Sequence, residues 1–140
     1  LHHLNLIPTF VIMRSTNNIQ SAAECIRTLS RHYGIRPGNI PFAHDTDGII
    51  QVLKSLDFYA CDLHTNTRGL IDCPKPAIVQ TITGFMTLLD ASKISVKIMY
   101  GDNEVHRIAL MDFVKVWTGL VIVVEPPPTR KWSFFGRFFN

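Results

Sequence analysis

The stretch Ser21-Ala22-Ala23-Glu24-Cys25-Ile26-Arg27-Thr28-Leu29-Ser30-Arg31-His32-Tyr33-Gly34 decides how this chain is read. Ala22, Ala23, Ile26, Leu29 and Tyr33, with Ile19 just upstream, recur at helical spacing and give one apolar face. Asn17 and Asn18 suit the start and Gly34 the stop, which predicts a helix over 18–33. Two caps are open: Ser21-x-x-Glu24 has the form of a capping box, and Asn17-x-x-Gln20 places an equivalent one a turn earlier. Cys25, in step with Ala22 and Leu29, reads as a small buried hydrophobe.

Working outward, Pro37, Gly38 and Pro41 break the chain into a loop from Ile35 to His44. Asp45 or Thr46 caps a second helix whose apolar face is Ile49, Ile50, Leu53 and Leu56. Phe58 to Leu63 reads as a short strand and Asn66 to Lys75 as a turn-rich loop. Strands then follow closely at Ala77–Ile82, Phe85–Leu89, Ile94–Met99, Val105–Leu110 and Leu120–Val124. Thr83-Gly84 interrupts the first two, Gly101-Asp102-Asn103 makes a hairpin-like turn, and Asp112 to Trp117 holds a helical turn or two ended by Gly119. Such short connections favour antiparallel pairing, since parallel strands need a crossover of a dozen or more residues. The layout is α+β, with N-terminal helices packed on a mostly antiparallel sheet. Residues 1–16 form an N-terminal arm or an edge strand through Phe10 to Met13, 17–125 the domain, and 126–140 a linker.

The 140 residues suit one core, with 46% apolar and 18% charged side chains. No run of apolar residues is long enough to span a bilayer, and Leu4 to Met13 lacks a small-residue cleavage site. The net charge of +3 belongs to the tail: Arg130, Lys131 and Arg137 leave the remaining basic and acidic side chains in balance. No chain-wide basic face marks a nucleic-acid partner. Cys25, Cys61 and Cys73 are odd in number and widely spaced, which argues against a disulfide scaffold. His32, His44, His64 and His106, with Asp45, Asp47, Asp62 and Asp72, have no recognised ligand spacing, so neither metal nor cofactor is expected.

The order and spacing of these segments resemble the C39 peptidase family, papain-like domains found at the N-terminus of bacterial ABC exporters. The family's opening motif, Asp-Cys-Gly-x-Ala-Cys-Leu followed by Tyr-Gly, maps onto Gln20-Ser21-Ala22-Ala23-Glu24-Cys25-Ile26 and Tyr33-Gly34. Its Pro-Ala-Ile and Gly-His-Phe-Val-Val-Leu segments map onto Pro76-Ala77-Ile78 and Thr83-Gly84-Phe85-Met86-Thr87-Leu88. Its closing pattern maps onto Asp112-Phe113, Trp117-Thr118-Gly119 and Leu120 to Glu125. The likeness covers roughly residues 17 to 125. It implies a papain-like C39 fold and, in active members, removal of a double-glycine leader peptide.

The departures fall on the chemistry the resemblance implies. The nucleophile position holds Ser21, the histidine position Gly84, and the orienting position lies at Met99 or Tyr100. No glutamine stands near Ser15, where the family's oxyanion donor is placed. A hydroxyl needs a neighbouring base to attack, and the base needs a third group to fix its tautomer. Glycine supplies neither. The resemblance therefore implies a degenerate C39-like domain of a type I secretion exporter, not an enzyme itself. It would dock an unfolded secreted protein or peptide beside the membrane-spanning and ATP-binding domains of the same protein, at the cytoplasmic face of the inner membrane. Tyr59, Phe85 and Trp117 are the candidate docking aromatics. Arg130, Lys131, Trp132, Phe134, Phe135 and Arg137 interleave cations with rings after Pro126-Pro127-Pro128, a composition suited to a membrane interface. Two alternatives stand: a C39-like domain of an envelope redox protein, and an active leader peptidase with a noncanonical nucleophile.

Overall fold

A computed structural model describes residues 18–41, 43–100 and 104–126. The arm, the Gly101-Asp102-Asn103 turn and the linker segment 127–140 lie outside the described residues.

The first helix, α1, spans Asn18–His32. Because it begins at Asn18, Ser21 stands inside the helix and not at its cap. A cap must precede the first helical residue, so the box read on Ser21 and Glu24 is overturned. The Glu24 carboxylate instead accepts from Arg27 at 3.0 Å. The helix closes as a Schellman motif: Gly34, at φ 70°, donates to Arg31 O at 3.1 Å and Ile35 to Ser30 O at 2.7 Å. The second helix, α2, spans Thr46–Ser55, and the Asp45 carboxylate caps it by accepting from the Gly48 amide at 2.7 Å.

Strand β1 runs Tyr59–His64. The predicted loop over Asn66 to Lys75 contains a short helix, α3, at Thr67–Asp72. Asn66 caps it, its side chain accepting from Gly69 N at 3.1 Å, and the Lys75 ammonium donates to the Ile71 and Cys73 carbonyls at the other end. Gly69 was the misleading signal. A Cβ there would lie 1.9 Å from Thr65 Oγ1, so this glycine serves close packing and not a turn.

Strands β2 (Ala77–Thr81), β3 (Gly84–Ala91), β4 (Ser95–Tyr100) and β5 (Glu104–Ala109) follow, then the one-turn helix α4 (Leu110–Phe113) and β6 (Trp117–Glu125). The helical turn therefore comes earlier than predicted and β6 begins earlier. Gly119, read as a stop, lies within β6 at φ 94°, near where the β2–β6 register shifts between Val79 and Thr81.

All five pairings are antiparallel, in the order β1-β6-β2-β3-β4-β5. The alternation of the inner strands feeds two cores. Ile78, Phe85, Leu120 and Ile122 face α1 and α2, packing against Ala22, Ile26, Leu29 and Leu53. Val79, Met86, Leu88, Ile98 and Val121 face the other way, against Leu70 of α3 and Phe113 of α4. This is the α+β arrangement expected, with the helices of the N-terminal part on one face of the sheet.

Candidate functional site

Of the three positions of interest, Ser21 is on α1, Gly84 on β3 and Tyr100 on β4, and α1 packs against both strands. Cys25 is hydrogen-bonded to the side chain of Thr87 on β3, and Thr28 Oγ1 approaches Met99 Sδ of β4 at 3.6 Å. Thr87 and Met99 are themselves opposite one another in the sheet. Ser21 lies one helical turn before Cys25. Gly84 opens β3 three residues before Thr87, and Tyr100 closes β4 one residue after Met99, so both occupy the same end of that ladder. Gly84 is held by the β2–β3 hairpin: it pairs with Thr81, whose hydroxyl donates to Gly84 O at 2.9 Å.

The thiols lack the surroundings of a nucleophile. Cys25 is 2% exposed, and burial pushes its pKa up to about 12; the Thr87 hydrogen bond opposes this only in part and the Glu24 charge adds to it. Cys73 is also raised by burial, partly offset by Lys75, and its thiol donates to Leu70 O at 3.4 Å. Cys61 is exposed on β1. His64, three residues on in the same strand, projects to the opposite face, because side chains alternate with period two. His106 is opposite Ile98, which belongs to the core on the α3 side; directly opposed residues share a face, so His106 points away from α1. His32 packs edge-on against Tyr33 at the far end of α1, with ring centroids 4.8 Å apart. Among the described residues, no group of three or more His, Cys, Asp or Glu side chains is arranged to hold a metal.

The candidate docking aromatics separate. Phe85 is 1% exposed and belongs to the core beneath α1. Trp117 stacks on Phe113 at 6.1 Å and donates Nε1–H to Leu120 O at 3.0 Å. Phe85 is enclosed by packing and offers no face to a client, whereas Trp117 packs on Phe113 and stays half-buried. Tyr59 is different. It is 60% exposed and lines a groove of about 710 Å³ with Phe58, Ala60, Cys61 and Val123. The groove was missed in the sequence because it depends on β1 being an outer strand, and chain order alone does not fix strand order. The membrane-proximal candidates from Arg130 to Arg137 lie outside the described residues. Among the described residues, no helix is long and apolar enough to cross a membrane.

No protein-family model and no curated protein matches the sequence. Solved structures do match in shape. A double-glycine-motif protease of an AMS/PCAT transporter, in complex with a leader peptide, superposes with a TM-score of 0.69 at 13% identity, over 76% of this chain and 84% of that one. The peptidase domain of Streptococcus ComA, a bifunctional ABC transporter involved in quorum sensing, gives 0.66 at 21% identity, over 76% and 91%. The peptidase C39-like domain of a toxin secretion ATP-binding protein from Vibrio parahaemolyticus gives 0.63 at 15% identity, over 76% and 96%. The chain thus has the fold of these exporter peptidase domains. At such identities the likeness carries the fold and not the chemistry.

Proposed function

We propose that this chain is a C39-like domain that holds a polypeptide for a bacterial ABC exporter without cutting it. The observation that carries the reading is that all three catalytic positions implied by the resemblance hold other residue types. Ser21, Gly84 and Tyr100 stand where the resemblance requires a thiol, an imidazole and a carboxylate, and the last two share one end of the β3–β4 ladder. A serine without a base is a weak nucleophile, and glycine has no side chain to take its proton. The nearest thiol, Cys25, is buried and held protonated. What a peptidase fold keeps when its chemistry is gone is a surface that accepts extended polypeptide. Tethering a client there raises its effective concentration at a neighbouring channel. In this reading residues 126–140 lead from the domain to the membrane-spanning part of the exporter, with the domain on the cytoplasmic side.

The experiment is an incubation of the chain with a library of double-glycine leader peptides, read by mass spectrometry beside Ser21→Ala and Cys25→Ala variants. All three should leave every peptide intact. A cleavage product that disappears in either variant would overturn the reading and restore the peptidase alternative.

A further inference from the structure

The docking surface of this domain can be located from the sheet itself. β1 ends the strand order and pairs with β6 alone among the described residues. Five of its six residues are exposed, so no described element covers its outer side. The direction of its backbone groups follows from one bond: Thr65 donates to Gly119 O at 2.9 Å, in the same register that pairs Tyr59 with Glu125. In an antiparallel ladder a residue turns both its N–H and its C=O to one side, and its neighbours turn theirs to the other. Tyr59, Cys61 and Leu63 therefore bond to β6, while Ala60, Asp62 and His64 direct theirs outward.

Such an edge invites another strand, and proteins commonly blunt it with lysine, proline or a bulge. β1 has none of these, and its register to β6 is unbroken. The opposite edge strand, β5, carries Glu104, His106 and Arg107, against Asp62 and His64 in β1. On the face of β1 away from α2, Tyr59 (60% exposed), Cys61 and Leu63 (42% exposed) form an apolar stripe at alternate positions. The groove beside Tyr59 lies at one end of this stripe. Among the described residues that line the recesses beside the strand, the charge is one-sided. Asp57 and Glu125 line the groove, and Asp45, Asp47 and Asp62 line a polar recess near His64; one ammonium, Lys54, stands against these five carboxylates.

We infer that β1 takes up an extended segment of unfolded polypeptide as a seventh strand of the sheet, one with apolar side chains at alternate positions and lysine or arginine between them. The inserted backbone pairs with Ala60, Asp62 and His64. Its apolar side chains lie along Tyr59, Cys61 and Leu63, and its cations meet the carboxylates at both ends. This is recognition by strand addition: the backbone gives affinity and alternate side chains give specificity. It rests on the holding role proposed above and names the surface and the chemistry of what is held.

The test uses the full chain and a fluorescent peptide of about eight residues, alternating lysine with valine or tyrosine, in three forms: native, scrambled to break the alternation, and N-methylated at every second backbone amide. The native peptide should bind in anisotropy measurements, and the N-methylated and scrambled forms should bind about tenfold more weakly or not at all. Asp62→Pro removes an outward N–H and leaves the β6 ladder intact, so it should lose peptide binding by about the same factor while melting like the parent. Tyr59→Ala, which keeps the edge, should weaken the native peptide and spare the fold. Equal binding of native and N-methylated peptides, or unchanged binding by Asp62→Pro, overturns strand addition; the non-cutting reading survives that outcome, since only cleavage decides it. Absence of any peptide binding also overturns the inference. If sedimentation then shows a dimer that Asp62→Pro dissolves, the occupant is a second copy; if the chain stays monomeric, the edge is not a docking surface for such a segment.

Discussion

The side chain of Cys25, on α1, is hydrogen-bonded to that of Thr87, on β3, and the pair is sealed beneath the helix. The contact lies within the apolar packing that seats α1 on the sheet, and burial keeps the thiol protonated. It gives a direct chemical expectation. In the native chain the exposed Cys61 should react with a thiol reagent within the mixing time, while Cys25 and Cys73 should react only on unfolding. Counting fast and slow thiols with Ellman's reagent, with and without denaturant, checks this.

The same burial makes stability depend on alkaline pH. Cys25 is raised from an ordinary 9.0 to about 12, so between those values the native state holds a proton that the unfolded state has released. Stability is then fully present below pH 9 and falls as the pH climbs toward 12. Cys73 and Tyr33 are also raised, chiefly by burial, and act in the same direction. Urea melts at neutral pH and at about pH 10.5 should show the loss. Cys25→Ala should reduce that pH dependence while costing about 1 kcal/mol or more at neutral pH through lost packing.

Phe85 and Tyr59 should respond oppositely to truncation. Phe85→Ala opens a cavity beneath α1 and should cost about 3–5 kcal/mol. Tyr59→Ala removes a ring that is mostly in water and should stay within about 0.5 kcal/mol. Parallel denaturant titrations check both.

Gly69→Ala should destabilise by about 1–3 kcal/mol, because the new methyl meets the short, branched side chain of Thr65. Relief by Thr65→Gly in the double variant, measured as a cycle, would tie the cost to that contact.

Much of this was legible in the sequence because helix and strand periods differ. The 3.6-residue repeat from Ala22 to Tyr33 gave α1 almost to its ends, and Gly34 and Asp45 gave a stop and a cap by their own chemistry. The α+β layout followed from strand spacing. Other features depended on contacts that no local pattern encodes. Ser21-x-x-Glu24 looked like a cap, yet the helix had already begun at Asn18. Gly69 looked like a turn, yet it packs against Thr65. Phe85 could not be told from a surface aromatic until the sheet order placed it inside, left Trp117 half-buried and put Tyr59 on an edge strand.

If Ser21, Gly84 and Tyr100 occupy a vacated triad, restoring its residue types should restore its chemistry. Ser21→Cys alone should give an ordinary thiol. The triple variant with Gly84→His and Tyr100→Asp should give one that alkylates down to about pH 5, as a histidine-paired thiolate does. Iodoacetamide rates across pH check this.

The most direct measurement of the central claim is a time course of intact mass on one mixture of the chain and a double-glycine leader peptide, with the bound fraction followed alongside. Holding without cutting predicts a persistent complex and an undiminished peptide mass. A peptide cut after its double glycine by the parent chain, and not by Ser21→Ala, would contradict it.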